Sequence, residues 1–396
     1  MDNQFNIFIK KSFISNVLGY LSVLSIIISF YFYLIAEITL GVTIFRPIFL
    51  FVGYGLFAFS ILFDSTIKIQ KQLFVYLCSS LLIYLISFPF WLVKFDINIY
   101  LSTITAILII NKYKFFKKVM TIFIFLTFFF AAYEFFTKEY LFVVLRDTFF
   151  GFRPLDEKFF GGHSGIFRAK VYFEGPLALS QFTIGAALLF RDKINILYII
   201  LLISIFANGR LAIVVCAVIT ILYYIKTYNL MSIFLKPKNV LFIFIGFTGF
   251  SLAAFNLLDE TSIDRLMAAF NTSYKGNAER INFWIKGFNM WIESDVLHFI
   301  FGNNGTFESV YKNNSENGWL TLLLNNGILG FSYYFIPLIL IIINSIKKQP
   351  TDLIYVFLLI LCMFVQTFHL GASANLFYWL IIYSFIANHN NVKTAA

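Results

Sequence analysis

Residues 194–225 read INILYIILLISIFANGRLAIVVCAVITILYYI, an apolar run whose middle carries Asn208, Gly209 and Arg210. Each arm is about 16 residues, or about 24 Å at 1.5 Å per residue, against a hydrocarbon core of roughly 30 Å. The stretch therefore predicts a short helical hairpin with Arg210 at its corner, somewhat below the outer membrane surface. A buried arginine there costs at least a few kcal/mol unless something compensates it. That makes Arg210 a functional-site candidate, with a structural ion pair to Glu134 or Glu174 as the competing explanation.

The rest of the chain supports a lipid setting. It is 60% hydrophobic and only 13% charged, with 54 Phe and a mean hydropathy of +0.83, which excludes a soluble enzyme, a disulfide scaffold and a disordered regulator. Cys78, Cys216 and Cys362 fall inside apolar runs without CxxC spacing or a nearby His, and read as packing residues. The first long run ends without an A-x-A site, so no cleavable signal peptide is expected. The expected class is all-α: one polytopic transmembrane domain over 1–396 with about twelve spans. These cover 17–36, 42–63, 73–93, 97–111, 119–136, 176–190, 194–209, 211–225, 239–256, 318–343, 353–369 and 375–387.

Charge orients the spans. With both termini cytoplasmic, the inner loops hold 16 Lys and Arg against Asp2, Asp64, Asp192 and Asp352, a balance of +12. The outer side then holds 14 basic and 16 acidic residues, so the net charge of +10 needs no nucleic-acid partner. Lysine does the orienting, with Lys112, Lys114, Lys117 and Lys118 as the densest inner cluster. Arginine follows another rule: only Arg191 lies inside, while Arg46, Arg146, Arg153, Arg168, Arg210, Arg265 and Arg280 lie outside. The guanidinium fork grips phosphate and carboxylate oxygens in pairs, which suits a lipid-linked phosphate or an anionic sugar. For Arg146, Arg153 and Arg265 an ordinary loop role is the simpler reading.

Two outer loops are long, 137–175 and 257–317, and function is expected there. The first contains EKFFGGHSGIFRAKVYFEGP, residues 157–176, with His163 in a glycine-rich stretch and Arg168 and Glu174 flanking a helix that Pro176 starts. That helix, 176–190, is also short, so a depression opening outward is expected, floored by Arg210 and rimmed by Arg168. The second loop contains ERINFWIKGFNMWIE, residues 279–293, whose Ile281, Trp284, Ile285, Phe288, Trp291 and Ile292 recur at helical spacing. It predicts an amphipathic helix against the outer interface, with Arg280 at its start. In SENGWLTLLLNNGILG, residues 315–330, Ser315, Glu316 and Asn317 stand at a helix N-terminus. Glu316 is there either a general base, or an acceptor for a sugar hydroxyl, or only a capping carboxylate.

Taken in order, FRAKVYFEGPLALS, ANGRLAIV, ERINFWIKGF, IFGNNGTF and SENGWLTLLLNNGILG resemble the O-antigen polymerase and O-antigen ligase superfamily of bacterial membrane glycosyltransferases, over roughly residues 160–332. Arg168, Gly175 and Pro176 match the first motif, Gly209 and Arg210 the second without its Ser, and Gly302, Gly305, Asn317, Gly327 and Gly330 the third. Glu316 stands where the ligases carry a His, which favours a polymerase. The resemblance implies transfer of a glycan from a polyprenyl diphosphate carrier to a hydroxyl of a carrier-linked acceptor, at the outer face of the bacterial cytoplasmic membrane, with no metal and no cofactor. It implies Arg168 and Arg210 as stabilisers of the departing diphosphate, Glu316 as base, and Arg280, Glu174, Asn317 and His163 as substrate-binding residues. Expected partners are the lipid bilayer, the polyprenyl-diphosphate-linked oligosaccharide, a chain-length regulator and a flippase. The alternatives are a ligase-like transferase and a lipid-linked oligosaccharide flippase or transporter. Against the last, no internal repeat relates the two halves of the chain.

Overall fold

The structure is a computed structural model that describes residues 4–7, 13–32, 45–63, 67–90, 98–110, 112–142, 145–148, 151–154, 167–228, 275–348, 350–366 and 372–394, with the single positions 35 and 368. Among the described residues the chain is helical apart from two antiparallel ribbons, which pair Gln4–Ile7 with Ile67–Gln70 and Leu145–Thr148 with Gly151–Pro154. A helix lies over each expected span except 239–256, which falls outside the described residues. Among the described residues four helices are long and apolar enough to cross a membrane: Ile14–Phe32, Tyr113–Thr137, Arg210–Thr227 and Gly318–Ile346. Other apolar helices are shorter, among them Pro176–Leu189 and Ile194–Phe206. Side chains such as Phe51 (71% exposed) and Phe136 (75%) turn outward, which suits hydrocarbon and not water.

Two compact units divide the chain: Met1–Phe123 with Asn282–Ala396, and Ile124–Ile281. In the first, the helix Phe13–Ile27 and the helical turn after it run beside Phe45–Phe63 along a serine seam. Ser15, Ser22, Ser25 and Ser29 donate to the carbonyls of Ser60, Gly53, Phe49 and Arg46 at 2.6–2.9 Å. Small residues let the backbones approach, and a Cβ on Gly53 would meet Ile26 at 2.8 Å. The helix Ala372–Thr394 is buried along Ala374–Phe385. Tyrosines in this helix and its neighbour are bonded internally: Tyr334 donates to Asn375 at 2.8 Å, Tyr378 to the Tyr334 carbonyl at 2.6 Å, and Tyr333 to Thr103 at 2.8 Å.

The long helix Gly318–Lys348 is not straight. At Gly327 its backbone leaves the helical region (φ 62°, ψ −165°), because the chain at Ile300 crosses there: a Cβ on Gly327 would lie 2.2 Å from the Ile300 carbonyl oxygen. Gly302 makes the reciprocal approach, 2.4 Å from the Asn325–Asn326 peptide. Only glycine accepts both the positive φ and the contact. Gly327 thus sits at a break inside the helix, while Gly302 ends the short helix before it, with Asn303 N–H bonded to the Leu324 carbonyl at 2.9 Å.

In the unit Ile124–Ile281, the helix Pro176–Leu189 is buried over most of its length, against Ile194–Phe206 and Arg210–Thr227. Pro176 occupies its first turn, where a missing N–H costs nothing.

Candidate functional site around the Arg168–Arg210 corner

The expected hairpin forms without a linker. Ile194–Phe206 ends as Asn208 adopts a left-handed conformation (φ 46°), with Asn208 N–H bonded to Ile205 at 2.9 Å and Gly209 N–H to Ser204 at 3.3 Å. This is the Schellman closure, with asparagine at the position glycine usually takes. Gly209 then caps the helix Arg210–Thr227, of which Arg210 is the first residue. Gly209 also lies against Ser180, one turn into the helix Pro176–Leu189; a Cβ there would be 2.1 Å from the Ser180 hydroxyl oxygen. Two helix N-termini, each with a positive dipole end, therefore meet at this corner.

Arg168 is brought to the same place. Its Nε donates to the Ala207 carbonyl at 3.2 Å, and Ala169 N–H donates to Phe206 at 3.0 Å, so the segment carrying Arg168 is laid on the hairpin corner three residues before Arg210. Both arginines are half-buried, and Glu174, just before Pro176, is exposed. The structure thus gathers Arg168, Arg210 and Glu174 within one unit. Arg280 lies in the second turn of the helix Lys275–Ile292 and not at its start. His163 lies outside the described residues.

The segment is held by residues that the sequence pattern did not single out for this task. Glu134, fully buried near the end of Tyr113–Thr137, accepts the backbone N–H groups of Leu141, Lys170 and Val171 at 3.1, 2.9 and 2.8 Å. Its carboxylate, one of the two partners offered to Arg210 by the competing ion-pair explanation, accepts from backbone amides. Val171 has φ 53°, unusual for a β-branched residue, and the Glu134 contact helps to keep it there. Lys170 is buried as well, its Nζ donating to the carbonyl of Phe142 and lying 5.2 Å from the Tyr140 ring centre. Burial pushes the Lys170 ammonium down to about 8, opposed by the neighbouring Glu134.

Glu316 and Asn317 belong to the other unit, where Asn317 takes the capping role. Its Oδ1 accepts Leu320 N–H at 3.0 Å. Glu316 precedes it in a left-handed conformation (φ 53°), its N–H bonded to Asn314 Oδ1 at 2.7 Å and its carboxylate accepting from Asn313 at 3.3 Å. The carboxylate is half-buried and held in place without serving as the cap. Ser315 is buried beneath, bonded to Thr321 at 2.6 Å. Among the described residues no three His, Cys, Asp or Glu side chains come together as a metal site.

No family model matches the chain. A comparison with characterised proteins likewise finds no match.

Proposed function

We propose that this protein is a polysaccharide repeat-unit polymerase that moves a glycan from a polyprenyl diphosphate carrier to a hydroxyl of a second carrier-linked unit. The observation that carries the reading is the apposition of Arg168 with the corner at Arg210, where two helix N-termini also meet. Fixed cations and dipoles aimed at one place stabilise charge developing on a leaving group, and a departing lipid diphosphate develops such charge. Glu316, held by Asn313, is the group assigned to take the acceptor proton, with Glu174 as its substitute. Arg280, Asn317 and His163 are assigned to substrate binding. The assigned setting is the outer face of a bacterial cytoplasmic membrane, with about twelve spans and both termini inside.

Purified protein supplied with lipid-linked repeat units should lengthen them. Movement of labelled lipid across the bilayer without growth would make it a flippase. In a deletion strain, single repeats should accumulate on the carrier; finished polymers would indicate a ligase instead. Orientation is checked with an impermeant thiol reagent: cysteines near positions 163 and 304, the latter at the exposed Ser309, should react from outside, and those at 112, 193 and 238 only after the inner face is opened.

A further inference from the structure

Between the end of the helix Lys275–Ile292 and the break in Gly318–Lys348 lies a cavity of about 300 Å³ that the proposed transfer has not used. Its wall includes Trp291, Glu293, Asp295, His298, Asn303 and Thr306. That volume is at the lower end of small-molecule sites, roughly 300 to 1,000 Å³, and suits one ring more than an extended chain.

The chemistry of the wall selects the ligand. Asp295 Oδ1 accepts the N–H groups of Leu297 and His298 at 2.9 and 3.0 Å, which fixes the carboxylate in place. Its other oxygen contacts His298 Nδ1. These bonds hold the Asp295 carboxyl below its ordinary value, so it is an acceptor only, and His298 Nδ1 must be the donor. The imidazole is thereby held in a fixed orientation with Nε2 on the side away from Asp295. Two donors on the wall are buried and lack any hydrogen-bond partner among the described residues: the Trp291 indole N–H and the Thr306 hydroxyl. Buried polar groups left in this way are costly unless a ligand or water completes them. Trp291 is also braced by Phe299, stacked at 4.5 Å between ring centres. The lining has two acidic residues and no Lys or Arg, so it repels a phosphate or a uronic acid.

A rigid aromatic, an oriented imidazole, unfilled donors and a carboxylate amount to a site for a ring that both donates and accepts through several hydroxyls. We infer that this cavity binds a single neutral sugar ring, with a ring hydroxyl hydrogen-bonded to His298 Nε2 and ring oxygens accepting from Thr306 and Trp291. The ligand class rests on the cavity alone; that the ring is the acceptor end of the growing glycan rests on the polymerase reading.

The test uses the full chain in detergent and a panel of methyl glycopyranosides covering glucose, galactose, mannose, rhamnose and N-acetylglucosamine, followed by saturation-transfer NMR. At least one should bind saturably, inorganic diphosphate should not compete, and His298→Ala and Thr306→Val should each weaken binding at least tenfold with the thermal melt preserved. On the unmutated protein, the bound glycoside should slow diethyl pyrocarbonate modification of His298, read by peptide mass spectrometry. The assignment is overturned if no glycoside binds the folded protein, if tetramethylammonium binds in preference to all of them, or if a bound glycoside leaves His298 equally reactive. Sugar binding without polymer growth would retain this site and remove the polymerase; growth without sugar binding here would do the reverse.

Discussion

The Glu134 carboxylate accepts the Val171 amide at 2.8 Å across 37 residues of chain, and with it the amides of Lys170 and Leu141. One buried side chain thereby closes the segment that delivers Arg168 to the hairpin corner. Replacing Glu134 by Leu leaves three amides without their acceptor, each worth about 1 to 3 kcal/mol. Thermal melts in detergent should fall by several degrees or more, with Glu134→Gln intermediate because one amide oxygen remains. A Glu134→Leu variant as stable as the parent would remove Glu134 from this role.

Close packing at the corner gives a second expectation. Gly209→Ala drives a Cβ to within 2.1 Å of the Ser180 hydroxyl oxygen and 2.7 Å of its Cβ, so it should destabilise the protein. Ser180→Gly should restore much of the loss, since it removes both atoms, and a double-mutant cycle measures the coupling. Additive effects would mean that the two helix starts do not touch.

Arginine identity separates chemistry from charge balance. Lysine at Arg168 or Arg210 keeps the charge but loses the planar fork, so polymer growth should fall roughly 10²-fold or more, with normal membrane insertion. At Arg146 or Arg153 the same change should be mild. Full polymer output from Arg210→Lys would take it out of the site.

For Glu316 the capping explanation no longer competes, because Asn317 holds that place. Glu316→Gln retains an acceptor for Asn313 but cannot take up a proton, so growth should drop by roughly 10² to 10⁴ while the melt is unchanged. Asn317→Ala should act in the opposite way, costing about 0.5 to 2 kcal/mol of stability. Activity surviving in Glu316→Gln would shift the base assignment to Glu174.

Lys170 makes stability depend on pH. Its folded pKa of about 8 lies below the unfolded value of about 10.4, so between them the unfolded chain binds more protons. The cost of burying the ammonium is fully present below about pH 8 and is relieved as pH rises toward 10.4. The stability difference between the protein and Lys170→Met should therefore move in favour of the parent across that window, by on the order of 2 kcal/mol. A difference that stays flat from pH 7.5 to 10 would show that Lys170 is not desolvated.

Sequence alone determined where the helices run, because in hydrocarbon every backbone N–H and C=O must be satisfied within the segment, and long apolar runs have no other solution. It also located the turn at Asn208–Arg210 and the start at Pro176, since both are local: a left-handed asparagine and an imino acid act on their own neighbours. Tertiary structure decided the rest. Glu134 reaches backbone amides, and amides carry no side-chain signature that marks them as partners. Gly302 and Gly327 read as turn and helix-end glycines until the crossing chains show that each makes room for the other's backbone. The cavity beside His298 was hidden for the same reason: Trp291 reads as part of an apolar helix face and Thr306 carries no signal of its own, and only folding places their unfilled donors on one wall with the Asp295–His298 pair. Local hydrogen-bonding rules act over one turn of chain, whereas contacts between distant segments depend on shape, and shape exists only once the helices have packed.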